Sequence, residues 1–144
     1  MSDKDIESEI QDKGLTAPRI TPQRIADVIV SEHYFTAADG IAGRHQYLID
    51  TKSDDEKVEE LNVPEQTALL TFCVLVLHNG FIVTGESACA SPENFDPEIV
   101  RKIARENAVN KIWMLEGYLL KQRLHDDHSD VWENEDDCRR ALEC

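Results

Sequence analysis

The feature that most constrains the fold is a pair of apolar segments joined by Asn79-Gly80. The first segment, residues 69–77, reads LLTFCVLVL, and such a run of β-branched and aromatic residues is typical of a buried strand. Asn-Gly is a strong hairpin signal, because a type I′ turn needs positive φ at both central residues. The sequence FIVTGES then completes the return strand. We therefore predict an antiparallel β-hairpin, which helices or a second hairpin must cover because a lone hairpin is marginal in water.

A helix is predicted on the N-terminal side of this hairpin, over residues 22–33. Thr21 is a good N-cap, and Pro22 suits the first helical position, where a missing N–H costs nothing. Apolar residues then recur at helical spacing. Asp39-Gly40 is a turn signal, and it is expected to end the element.

A longer helix is predicted after the hairpin. Asp96, Pro97 and Glu98 supply an N-cap, a first helical residue and an acid at the positive end of the helix dipole. Apolar residues then follow on one face: Ile99, Ile103, Ala104, Ala108, Ile112, Leu115 and Leu119. An unbroken helix to residue 124 would be about 42 Å long. The predicted fold class is α+β, with an N-terminal helix, an antiparallel hairpin and a long C-terminal amphipathic helix.

The acidic residues are concentrated in three segments. Residues 1–17, 50–65 and 125–144 account for the whole net charge of −14, so the rest of the chain is balanced. We expect residues 1–17 and 125–144 to be disordered, and residues 18–124 to form one domain with an acidic loop at about 41–67. Solvated segments are the favoured interpretation of this charge, and mimicry of a nucleic-acid surface is the alternative. Direct nucleic-acid binding is not expected, because phosphate contacts need a clustered basic surface.

Other sequence features argue against a membrane or secreted protein. The longest apolar run, at residues 69–77, is shorter than the roughly 18 residues that a membrane-spanning helix needs. The N-terminus is acidic and lacks the apolar core of a signal peptide, so a cytoplasmic location is expected. The four cysteines form no CxxC pair, and we expect them to be free thiols.

The most site-like segment is the one that ends the hairpin, Glu86-Ser87-Ala88-Cys89. A serine or thiol nucleophile needs a nearby base, which His33 or His78 could supply only if the fold brought them close. A structural role at a strand end is favoured, and no catalytic residue, cofactor or metal is predicted. The alternative is a small-ligand site at the rim of an apolar cleft, with His33, Glu86, Ser87 and Asn94 as hydrogen-bonding groups.

Apolar side chains surround much of the long helix near its predicted end. Trp113, Tyr118 and Leu120 lie there, and one small domain can hardly bury all of their neighbours as well. Packing in the core is one interpretation, and a surface for a partner or for self-association is the other. Tyr34 and Phe35, which we expect to fold back onto the core, complete the predicted partner-binding set. A homodimer across the hairpin and this helix would also stabilise the hairpin.

Two blocks of the chain resemble a known family. They read PRITPQRIADVIVSEHYFTAADG, and TFCVLVLHNGFIVTGESACASPENFD followed by RKIARENAVNKIWMLEGYLL. These blocks are similar to a family of small tailed-phage proteins, named for the gene 49 product of a podovirus and the gene 66 product of a lambdoid phage. The resemblance implies a phage protein that is expressed in the cytoplasm of a bacterial host, and it implies no reaction.

The expected function is therefore that of a non-enzymatic phage accessory protein. We expect it to bind a host or phage protein, in a host-takeover or counter-defence role. A binder that sequesters a small nucleotide-type signal is the alternative.

Overall fold

The computed structural model describes residues 2–15 and 17–129. Its elements are α1 (Asp3–Asp12), α2 (Pro22–Val28), β1 (Ile29–Thr36), α3 (Ala37–Thr51), β2 (Leu70–Leu77), β3 (Ile82–Ala88) and α4 (Pro97–Ser129). Short 3-10 turns precede β2 and α4. The predicted α+β class is confirmed. The described residues form two compact units, one drawn from 1–26 and 113–144 and the other from 27–112. A single domain over 18–124 stays a prediction.

The second unit is built on an antiparallel sheet in the order β1-β2-β3. Its central strand alternates strictly: Thr71, Cys73, Leu75 and Leu77 are buried, and the residues between them are partly exposed. Because successive side chains point to opposite faces of a strand, the sheet has one covered face and one open face. We call the second of these the open face. It contains Phe72, Val74 and Val76 of β2 and their ladder partners, which are Ser31, His33 and Phe35 of β1 and Ile82, Thr84 and Glu86 of β3.

The loop between β2 and β3 is a hairpin of a different type from the one predicted. Gly80 has φ 87°, and among the described residues only glycines have positive φ, so Asn79 cannot form a type I′ turn. The N–H of Gly80 donates to the Leu77 carbonyl, and the Leu77 N–H donates to the Phe81 carbonyl. These bonds define a three-residue loop with glycine at its left-handed position.

Helix α4 covers the buried face of the sheet within residues 97–112. Asp96 caps it by accepting from the backbone N–H groups of Glu98 and Ile99, as predicted. Closely packed apolar side chains form the core here: Val28, Cys73, Leu75, Leu77, Val83, Val100, Ala104, Ala108 and Ile112. The helix backbone touches β3 at Gly85, where there is no room for a side chain.

The first unit contains α1 and the N-terminal part of α2. Ser2 and Asp5 form a capping box at the start of α1, and no residue of this helix is buried. Arg19 donates two hydrogen bonds to the Glu7 carboxylate, which ties α1 to the segment before α2. Ten residues rarely form a stable helix alone, so this paired contact adds to the capping box in stabilising α1.

One predicted helix is wrong in its second half. The helix over residues 22–33 ends at Val28, and Ile29–Thr36 forms β1 instead. Tyr34 and Phe35, predicted to fold back onto the core, are therefore strand residues. The free edge of β2 explains the change, since a third strand pairs its backbone groups and a two-stranded hairpin alone would be marginal.

The predicted disorder also differs from the structure. Residues 37–51, most of which were assigned to the acidic loop, form α3, and Asp39 starts this helix in a capping box with Thr36. Residues 3–12 form α1 instead of a disordered terminus. Helix α4 continues past residue 124 to Ser129. The remainder of the predicted tail, residues 130–144, lies outside the described residues.

Candidate functional site

A polar cluster lies between β1 and α4 on the covered side of the sheet. The Glu32 carboxylate accepts a hydrogen bond of 2.9 Å from the Tyr34 hydroxyl and another of 2.9 Å from Arg105 Nε. Glu32 and Tyr34 are two residues apart in β1, so their side chains share one face. Burial raises the pKa of the Tyr34 hydroxyl, and its hydrogen bond to Glu32 adds to the shift. Tyr34 is therefore neutral at physiological pH and acts as a fixed donor.

Cys73 is the cross-strand neighbour of Tyr34 and is fully buried. Burial raises the pKa of its thiol, so the thiolate is not populated at neutral pH. A nucleophilic cysteine needs the opposite environment, one that lowers the thiol pKa. Cys73 is thus a small core side chain, as its place among strand hydrophobes suggests.

Beside this cluster is a cleft of about 170 Å³ at the N-terminal end of α4. It is lined by residues from four segments: Tyr34, Phe35, Thr36, Asp39, Thr71, Phe95, Pro97, Val100 and Arg101. Thr71 is only 3% exposed, and its hydroxyl has no hydrogen-bond partner among the described residues. A buried hydroxyl without a partner is unfavourable, so this cleft has an unmet capacity for hydrogen bonding.

The open face of the sheet carries the second candidate surface. Phe72, Val74 and Val76 of β2 lie on it, each only partly covered. Phe35 pairs with Phe72, with ring centroids 5.5 Å apart, and remains 39% exposed. A contiguous apolar strip of this kind is a common mark of an interaction surface.

The predicted partner-binding residues divide between the two units. Tyr34 lies on the covered side of the sheet and Phe35 on its open side, so these neighbours do not act as one surface. In the first unit, Trp113 and Leu120 are half-buried, whereas Tyr118 is 71% exposed. The set of five stays a prediction as a binding site.

Two features of the second half of α4 lie outside the predicted site residues. Met114, four residues before Tyr118, is 76% exposed. The two side chains lie on the same side of the helix and form an exposed surface that we call the outer stripe of α4. On the opposite side, Glu116 is 3% exposed and accepts from Arg24 Nε at 3.2 Å. A single carboxylate within the apolar stretch WMLEGYLL was the signal for a buried, paired acid.

The alternative ligand-binding set is not assembled at one place either. His33 and Glu86 lie on the open face, where His33 contacts the Ser31 hydroxyl, and Ser87 lies on the covered face. Asn94 is exposed in the 3-10 turn before α4. This set also stays a prediction.

The proposed bases for a nucleophile are likewise separated from it. His33 and Ser87 are on opposite faces of the sheet. His78 follows the C-terminal end of β2, whereas Cys89 pairs with Leu69 at the other end.

Another cleft, of about 480 Å³, lies between α3 and the acidic segment. His45 Nε2 is 3.1 Å from the Glu59 carbonyl across it. Three cations and three acids line its walls, so the charge there is balanced: Arg44, Lys52, Lys57, Glu56, Glu59 and Glu60. Balanced charge gives no preference for a charged ligand.

Within residues 2–15 and 17–129 there is no group of three or more His, Cys, Asp or Glu side chains that could hold a metal ion. Among them, Asp126 lies 3.3 Å from His125 Nδ1 and accepts a hydrogen bond of 2.9 Å from Gln122. In the same residues no helix is long and apolar enough to cross a membrane.

Comparison with known proteins gives one match. The model of the family described as "Phage protein (N4 Gp49/phage Sf6 gene 66) family" matches residues 20–124. Searches of curated proteins and of solved structures found no match. Since the match covers well over half of the sequence, from the segment before α2 to the last turns of α4, the chain belongs to the phage protein (N4 Gp49/phage Sf6 gene 66) family.

Proposed function

We propose that this phage protein is a non-enzymatic accessory protein that binds a host or phage protein through the open face of its sheet. The host cytoplasm is where it would act, in host takeover or counter-defence. One observation carries the proposal: the strict alternation of β2 leaves Phe72, Val74 and Val76 partly exposed beside the 39% exposed ring of Phe35. A sheet face of this composition is normally covered.

The aromatic pair is the expected centre of the interface. Aromatic residues are enriched among the few residues that dominate binding, and truncating such a residue typically costs about 2 kcal/mol or more. Phe35 and Phe72 are already in contact, so their rings lose little conformational freedom on binding. The valines beside them would exclude water around this centre.

A non-enzymatic function is supported by the placement of the reactive side chains. The thiol of Cys73 is buried with a raised pKa, and Ser87 and His33 lie on opposite faces of the sheet. The hydroxyl of Tyr34 is held by Glu32. Ser87 and His33 therefore lack the nucleophile–base geometry that catalysis requires, and the Cys73 thiol lacks the lowered pKa of a nucleophilic cysteine.

The test is a pair of matched capture experiments from infected host lysate. Phe35→Glu places a charge on the open face, and Tyr118→Glu makes the same change on the outer stripe of α4. We expect wild type and Tyr118→Glu to recover one stoichiometric protein, and Phe35→Glu, with an unchanged circular dichroism spectrum, to lose it. Equal recovery by both variants would contradict binding through the open face.

The second candidate function is sequestration of a small nucleotide-type signal in the cleft next to α4. The unpartnered hydroxyl of Thr71 and the guanidinium of Arg101 favour it, because a hydroxylated, anionic ligand could use both. Thermal-shift measurements with a panel of nucleotides test this candidate. A stabilising nucleotide whose effect is lost in Arg101→Gln would support it, and a flat response across the panel would exclude it.

A further inference from the structure

The outer edge of β3 has backbone groups that find no partner within residues 2–15 and 17–129. At the two ends of the β2–β3 ladder, the Leu77 N–H donates to the Phe81 carbonyl and the Cys89 N–H donates to the Leu69 carbonyl. Hydrogen-bonded pairs alternate along an antiparallel ladder, so the backbone N–H and C=O groups of the odd-numbered β3 residues point toward β2. The backbone groups of Ile82, Thr84 and Glu86 therefore point outward.

The structure gives this edge one hydrogen bond within the described residues. Asn107 Nδ2 donates to the Glu86 carbonyl at 2.8 Å. This bond also fixes which side of α4 lies along β3. Ile103 and Ile99 precede Asn107 at intervals of four residues, so they follow the same side of the helix.

Apolar side chains flank the free edge. Ile99 is 55% exposed and Ile103 is 44% exposed on α4, while Phe81 is 53% and Ile82 is 55% exposed at the start of β3. Natural proteins usually protect an edge strand with charges, proline, a bulge or a covering element. Here only Glu86 contributes a charge to the strand, so the edge is suited to pairing with another strand.

We propose that the partner is a second copy of this chain, which pairs antiparallel with β3 about a twofold axis at Thr84. Thr84 of each copy then exchanges both backbone hydrogen bonds with Thr84 of the other, and the two sheets become one sheet of six strands. A twofold interface is self-complementary, so each contact occurs twice.

The charges and apolar groups are compatible with this register. Glu86 faces Ile82 of the second copy, whose N–H replaces Asn107 Nδ2 at the Glu86 carbonyl, and it is kept away from the other Glu86, so like charges do not meet. By the alternation of the strand, Phe81 points to the helix side and comes beside Ile103 of the second copy. The acidic segments that hold the net charge of the chain are at 1–17, 50–65 and 125–144, away from β3 in sequence.

Disulfide trapping tests the register directly. The background is a chain with Cys89→Ser, Cys138→Ser and Cys144→Ser, which leaves only the buried Cys73. Directly opposed residues of a hydrogen-bonded pair have Cα atoms about 5.5 Å apart, within the disulfide range. We expect Thr84→Cys to give a covalent dimer under mild oxidation.

Ala88→Cys is the matched control, because it lies on the same face of β3 and its backbone also points outward. In the proposed register the two copies of residue 88 are eight residues apart along the strands, or about 27 Å. We therefore expect no covalent dimer. Cross-linking of Ala88→Cys that equals that of Thr84→Cys would overturn the register.

The oligomeric state in solution provides a test that needs no cross-link. The N–H of Thr84 points away from β2 and has no partner in the part of the chain that the structure describes, so Thr84→Pro removes a donor for the second copy while it spares the β2–β3 ladder. We expect wild type and Thr84→Val to sediment as dimers, and Thr84→Pro to sediment as a folded monomer. A wild-type monomer throughout the micromolar range would refute the proposal.

Discussion

The close approach of the α4 backbone to Gly85 predicts a large loss of stability when one methyl group is added there. A Cβ at residue 85 would lie 2.1 Å from the carbonyl oxygen of Ala104, and 2.4 Å and 3.0 Å from the N and Cα atoms of Ala108. Side-chain Cβ atoms essentially never approach other heavy atoms closer than 3.0 Å. The obstructing atoms belong to the α4 backbone, so no side-chain rotation can relieve the clash. In Gly85→Ala the helix must therefore move away from the sheet by about 1 Å.

The expected cost follows from that movement. Adding a methyl group to a well-packed core typically costs about 1–3 kcal/mol, and occasionally more. We place Gly85→Ala at about 3 kcal/mol, because a whole helix must shift and its contacts with the sheet loosen. That is a considerable part of the stability of a small protein, about 5–15 kcal/mol.

Urea denaturation measures this effect, with Gly117→Ala as the matched control. Gly117 lies in the same helix, and a Cβ there meets nothing within 4 Å. Alanine is the better helix former, so the control should be more stable than wild type by about 0.5–1 kcal/mol. If Gly85→Ala loses less than about 1 kcal/mol, the close approach of α4 to β3 is refuted.

Three further predictions follow from individual side chains. Thr71→Val replaces an unpartnered buried hydroxyl by a methyl group, so it should raise the free energy of unfolding by about 1 kcal/mol in urea denaturation, and a loss would mean that the hydroxyl has a partner. Glu116→Gln weakens a buried, charge-assisted hydrogen bond and should lower that free energy by about 1–2 kcal/mol, whereas no change would show that the pair is dispensable. The Arg19 hydrogen bonds hold the pKa of Glu7 below its usual value. This contact therefore stabilises α1 fully at pH values above the ordinary carboxyl pKa, and the stabilisation is lost as pH falls through the lowered pKa of Glu7. The protection factors of the α1 amides, which are corrected for the intrinsic pH dependence of exchange, should accordingly fall at acid pH, and Glu7→Gln should show the lowered protection already at neutral pH.

The parts of the fold that the sequence predicted are those fixed by local chemistry. Asp96-Pro97 specifies the start of α4, and Asn79-Gly80 specifies a hairpin whatever its exact turn type. The strand β1 could not be predicted in this way. Its residues follow α2 without a break signal, and only pairing with β2, more than 30 residues later, makes them a strand.

Helix α3 is not predicted from the sequence, because Asp39-Gly40 is the typical pattern of a turn. Asp39-Gly40 resembles a turn, yet Asp39 accepts from the backbone N–H of Thr36 and so begins a helix. Thr36 followed three residues later by an acid is a capping-box pattern that could have revealed it. Gly43, in the interior of the same helix, weakens the helical signal further.

The candidate surfaces depend on which distant residues the fold brings together. Local sequence patterns do not reveal that pairing. Glu32 and Arg105 are 73 residues apart, and their contact exists because α4 crosses β1 at that point. The contrast between Tyr34 and Phe35 arises in the same way. Both aromatic residues were predicted to bind a partner, but the alternation of β1 places their side chains on opposite faces of the sheet.

The most direct test of binding through the open face is the affinity of the captured partner, measured by calorimetry with purified proteins. We predict that Phe35→Glu raises the dissociation constant by at least about tenfold, which corresponds to 1.4 kcal/mol, while Tyr118→Glu leaves it unchanged. Unchanged affinity in Phe35→Glu, together with weaker binding in Tyr118→Glu, would contradict the account and assign the interface to α4.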